Sequence, residues 1–131
     1  MKTVIAQEVA EQEFDRVCDF FDVDADAPME DDEQESFSRL KAKIVRAIST
    51  GSLSINDNGA PTFVTKSGVE LTFKEPTGAT LLVKTKDDDP VRKMLAIAME
   101  LTGGKTSPSK LSIRDTSVLA SIVNLFMSEL A

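Results

Sequence analysis

The chain reads as an α+β domain, mainly helical, with about four helices and a small antiparallel β-hairpin or three-stranded meander in the middle. Three observations carry that reading. Apolar residues recur at helical spacing in several separate stretches. After Gly51 the composition switches to Ser, Asn, Asp, Gly and β-branched residues with two-residue turn pairs. The last nineteen residues before the terminal alanine, 112–130, spell a helix too apolar to stand alone.

In chain order, Ala10, Phe14, Val17, Cys18 and Phe21 follow the helical period and predict a first helix within residues 1–22. Cys18 falls in that stripe, which marks it as a small buried side chain rather than a reactive thiol. Residues 22–35 read DVDADAPMEDDEQE, a mobile acidic linker by composition. Asp22, Asp24, Asp26 and Glu33 fall on positions 1, 3, 5 and 12 of an EF-hand loop, but Ala27 stands where the sharp turn needs glycine, so no metal site is expected. Phe37, Leu40, Ile44, Val45, Ala47 and Ile48 predict a second helix over about 34–50, closed by Gly51. Its outer face carries Arg39, Lys43 and Arg46, read as a solvated face.

Asn58-Gly59 and Ser67-Gly68 are turn pairs, and Val69, Leu71 and Phe73 alternate with Glu70, Thr72 and Lys74, giving a dry and a wet strand face. Residues 77–85 read as a short helix capped by Thr77, with a buried strand through Leu81, Leu82 and Val83 as the alternative. Asp87 to Asp89 followed by Pro90 begins a third helix, with acids at the positive end of its dipole and proline in the first turn. It buries Val91, Met94, Leu95, Ile97, Ala98 and Leu101 and stops at Gly103-Gly104.

The final helix opens on Ser112 with Asp115 three places later, a capping-box spacing. Thirteen uncharged residues follow, too few for a membrane span of roughly 20. Their apolar positions sweep past half the circumference, while Ser117, Ser121, Asn124 and Ser128 make a small face that a neighbouring helix can approach closely. The sweep looks too wide for the rest of so short a chain to cover, which predicts apolar surface left for another molecule.

Composition narrows the function. Residues 1–35 carry a net charge of −11 and residues 36–131 a net +4. The division this suggests is an acidic helical region, 1–50, with its linker at 22–35, and a hairpin with C-terminal helices, 51–131. With no Trp or Tyr among 131 residues, stacking platforms for bases are lacking and nucleic acid is not the expected partner. With no His, nucleophile–His pairs are ruled out and the commonest general base near neutral pH is missing. GGKT at 103–106 resembles the end of a phosphate loop but follows a helix where a strand is required, and Ser107 to Lys110 fits S-x-x-K without its companion motifs. The expectation is a protein that is not an enzyme and needs no cofactor. A lone Cys18 and an N-terminus without signal-peptide features predict a reducing, cytoplasmic setting.

Taken together, PTFVTKSGVELTFKEPTGATLL, then AIAMELTGG, then LSIRDTSVLASIVNLFM resemble a family of bacteriophage tail assembly chaperones. The matching order is a hairpin ending in Lys74-Glu75-Pro76-Thr77, a helix ending at Leu101-Thr102-Gly103, a Leu-x-x-x-Asp start at Leu111 to Asp115, and Phe126 near the end of the last helix. The likeness covers about residues 62–127; residues 1–50 lie outside it. It implies a small protein of the host cytoplasm that coats the apolar, helical tape-measure protein before tail-tube subunits replace it; the apolar sweep of the last helix separately suggests self-association through it. The residues expected to meet a partner are Met99, Phe126 and Met127, with Leu119, Ile122 and Val123 as support; Met94 is expected to fill the core. Two other classes are a structural piece of a phage tail, neck or baseplate, and an acidic regulator that binds a basic partner through residues 1–35.

Overall fold

The computed structural model describes residues 6–77 and 89–127. Within them the order is α1 (Gln7–Phe20), α2 (Asp31–Ser49), β1 (Leu53–Ile55), β2 (Pro61–Val64), β3 (Glu70–Thr72), α3 (Pro90–Leu101), a 3₁₀ turn (Pro108–Lys110) and α4 (Ile113–Met127). The architecture is mainly helical α+β. The short helix expected over 77–85 lies almost wholly outside the described residues.

The strands form an antiparallel meander in the order β1-β2-β3, with Leu53 opposite Phe63 and Phe63 opposite Leu71. That register stacks three buried side chains on one face, while Thr62 and Thr72 pair their hydroxyls at 2.8 Å on the other. Along β3 and just beyond it, Leu71 and Phe73 are buried and Glu70, Thr72 and Lys74 exposed, as the alternation predicts. Both turn glycines, Gly59 and Gly68, take φ of +90°. At Gly59 a side chain would also meet the Arg16 carbonyl oxygen at 3.2 Å, because the guanidinium of Arg16 in α1 donates to the carbonyls of Asn56 (2.6 Å) and Asp57 (3.0 Å).

α2 starts at Asp31, three residues before the predicted boundary. Asp31, Asp32 and Glu33 occupy its first turn, where carboxylates favour the positive end of the dipole. An acidic run read as linker is therefore partly helix. α3 starts as predicted: Pro90 is its first residue, and the Asp89 carboxylate accepts from the N–H groups of Val91 (2.9 Å) and Arg92 (3.2 Å).

One apolar cluster joins residues from both sides of the 50/51 division, from Ala10 to Phe126. α1 belongs to it through Ala10, Phe14, Val17 and Cys18, followed by Phe21 and Val23, all buried. The buried face of α1 is the stripe that the spacing from Ala10 to Phe21 predicts, and its outer face is mainly acidic. Phe14 meets the edge of Phe37 (ring centroids 6.1 Å), and the Lys41 ammonium lies 5.5 Å from the Phe14 centroid. Phe14→Ala is expected to cost about 3–5 kcal/mol, the range for emptying a buried aromatic site. Urea unfolding followed by circular dichroism checks this, and a loss below about 1 kcal/mol would show α1 to be peripheral.

Candidate functional site

The start of α4 is built around one buried carboxylate. Ser112 Oγ accepts from the Asp115 N–H (3.1 Å) while Asp115 Oδ2 accepts from the Ser112 N–H (3.1 Å), the reciprocal capping box that the spacing predicts. Asp115 goes further, because its two oxygens also accept from the backbone N–H of Lys66 at 3.2 and 3.1 Å. Lys66 sits in the β2–β3 turn, 49 positions away in the chain. That turn is held from within: Thr65 N–H donates to the Val69 carbonyl, Val69 N–H to Thr65 Oγ1, and Gly68 N–H to the Thr65 carbonyl. A cap thus becomes a clamp between the sheet and the last helix.

Beside this clamp, α2, β2 and α4 enclose an open cleft of about 690 Å³. Its floor is Ala47 from α2, Phe63 and Val64 from β2, and Val118 from α4. Its rim carries Lys43 and Arg46 from α2, Lys66 from the turn and Arg114 from the first turn of α4. The one acid in the lining is Asp115, and both its oxygens are committed to backbone N–H groups. A second, shallower cleft of about 470 Å³ continues along the α2–α4 seam past Arg39, Lys43, Ser121, Asn124 and Met127. The small face of α4 therefore lies along α2, as its composition predicts; Ser121 is buried and donates its hydroxyl to the Ser117 carbonyl (2.8 Å). The cations read as a solvated face of α2 are one wall of this seam. Their spacing of four and three was visible in the sequence; that β2 and α4 would close around them was not.

Most of the residues expected to meet a partner are buried within the chain. Leu119, Ile122 and Val123 are fully buried and Phe126 is 6% exposed. Phe126 is covered by Phe21 (ring centroids 5.1 Å), whose ring meets Phe73 in turn (6.1 Å). The expectation of a broad uncovered sweep on α4 is thus corrected: α2 and α3 pack along it, and Phe21, just after α1, closes over Phe126. Met127 is half-buried and lines the second cleft. Met99 is buried and Met94 half-buried, the reverse of the predicted roles. The cause is the C-terminal end of α3, which docks on the chain after β3 through Lys74 N–H to the Leu101 carbonyl (2.9 Å), while Val91 in its first turn is exposed.

Other candidate chemistry is structural. Gly103 and Gly104 both take positive φ, and Gly104 N–H donates to the Met99 carbonyl (2.9 Å), so GGKT is a helix stop. Cys18 is buried, and desolvation, with the nearby carboxylates of Asp15 and Asp19 adding to it, pushes its thiol up to about 12, far from a nucleophilic thiolate. Among the described residues no three carboxylate, His or Cys side chains converge as a metal site would require. Nor is any described helix long and apolar enough to cross a membrane.

Comparison with family models, with curated proteins and with solved structures finds no match.

Asp115→Ala removes the acceptor of two backbone donors and is expected to cost about 2 kcal/mol, with Asp115→Asn restoring part of it. Urea titrations of the three proteins check this. Equal stability of Asp115→Ala and the parent would show that the clamp contributes nothing.

Proposed function

We propose that this chain is a non-catalytic tail assembly chaperone that holds an apolar helical segment of a tape-measure protein in the α2–β2–α4 cleft during phage tail assembly. The observation that carries the reading is the cleft itself: an apolar floor between rigid elements, ringed by cations. An amphipathic helix lays its apolar face into such a groove while its polar residues stay at the rim.

Two further points support it. The stretch that resembles tail assembly chaperones, about residues 62–127, contributes the β2 and α4 walls of the cleft. The aspartate of its Leu-x-x-x-Asp start is Asp115, whose clamp sets those two walls against each other. The partner surface is then the cleft lining and the half-buried Met127 rather than Phe126 or Met99. A host-cytoplasmic location and replacement by tail-tube subunits belong to the same proposal.

The test is co-expression of the tagged chain with the tape-measure protein of the same phage. The expected result is a soluble complex, and a finished particle from which the chain is absent. Ser117 is half-buried in the cleft lining. Ser117→Trp places an indole over the floor and is expected to lower client affinity by about tenfold, or about 1.4 kcal/mol, without lowering the melting temperature. Failure of the parent chain to retain any tape-measure segment would contradict the proposal, and retention in the particle would make the chain a structural tail component instead.

A further inference from the structure

The rim of the cleft and residues 22–35 are opposite in charge, and the first turn of α2 stands far from the cations at the other end of that helix. Residues 22–35 hold eight acids and no base. Their two ends are fixed: Phe21 and Val23 are buried in the core, and Asp31 onward is α2. Along α2, at about 1.5 Å per residue, Asp32 stands roughly 21 Å from Arg46. That is more than twice the screening length of about 8 Å at physiological ionic strength. The first turn of α2 therefore cannot serve the basic end of its own helix.

We propose that the cleft of one copy takes residues 22–35 of a second copy, so that free chains associate head to tail. The match goes beyond net charge. Within that segment Ala27, Pro28 and Met29 form a short apolar stretch, with Asp24 and Asp26 on one side and Glu30, Asp31 and Asp32 on the other. The cleft presents the complement, an apolar floor of Phe63, Val64 and Val118 between the cations of α2 on one wall and Lys66 and Arg114 on the other. Lys43 and Arg46 are exposed, as are Asp31 and Asp32. Because the two surfaces differ, the contact is heterologous and propagates from copy to copy instead of closing as a two-fold dimer. The contact shares the cleft with the proposed client but needs no client, so its failure leaves the chaperone reading standing.

Sedimentation of the full chain tests it. At about 10 mM salt, where the screening length is about 30 Å, the weight-average mass is expected to exceed the 14.2 kDa of one chain and to rise with concentration. At about 1 M salt, where that length is about 3 Å, it is expected to fall back to one chain. Lys43→Glu combined with Arg46→Glu inverts the α2 wall of the cleft, and Asp31→Lys combined with Asp32→Lys inverts the helical end of the segment. Each double variant alone is expected to be monomeric, with circular dichroism matching the parent. Mixed in equal amounts they are expected to associate again, to a weight-average mass above 14.2 kDa, because the parent segment of one variant meets the parent cleft of the other. A labelled peptide of residues 22–35 is expected to bind the parent chain and to lose at least about tenfold in affinity for the cleft-reversed variant. A parent chain that stays monomeric at low salt, a mixture that stays monomeric, or association that survives both reversals would overturn the proposal.

Discussion

The constraint on which the fold depends is the need to cover α4 on nearly every side. Its run Val118, Leu119, Ile122, Val123, Leu125 and Phe126 is buried, while Ile113 and Arg114 at its start and Asn124 face solvent. At roughly 25 cal/mol per Å² of apolar surface, exposing even part of that run would cost several kcal/mol, comparable to the whole stability of a small domain. α2 and α3 pack against α4 directly, and Phe21 closes the end that they leave open. The acidic N-terminal region is therefore bound into the core by its inner face, while its outer face keeps the charge.

Covering a helix so completely needs control of where it starts, and Asp115 provides it. A capping box alone would satisfy two backbone donors of α4; the added bond to Lys66 N–H ties that start to the β2–β3 turn. The cleft follows from this arrangement. α2 runs beside the small serine face of α4, and where β2 joins them Phe63 and Val64 line the cleft between the two helices. Lys43, Arg46, Lys66 and Arg114 come from three elements, so their convergence is a property of the fold and not of any one segment.

Local signals were legible in the sequence wherever neighbouring residues decide the outcome. The Ser112/Asp115 box, the Asp89-Pro90 start, the glycine turns at 59 and 68 and the alternation from Val69 to Lys74 all concern positions within a few residues of each other. What depended on distant partners was not legible. The apolar stripe of α1 is written in its spacing, but that it packs on α2, with Phe14 against Phe37, is not. The cleft was hidden for the same reason. Arg39, Lys43 and Arg46 were plainly on one face of α2, but nothing near them in the chain says that this face borders a groove.

The central claim is that the α2–β2–α4 cleft is the docking surface of this protein. Backbone amide shifts of the labelled chain, followed by NMR while a helical tape-measure segment is added, test that claim most directly. The account predicts that the perturbed amides cluster at Ala47, Val64, Lys66, Ser112 and Val118, on three elements at once. Shifts confined to α1 and the first turns of α3, or an unchanged spectrum at saturating segment, would contradict it.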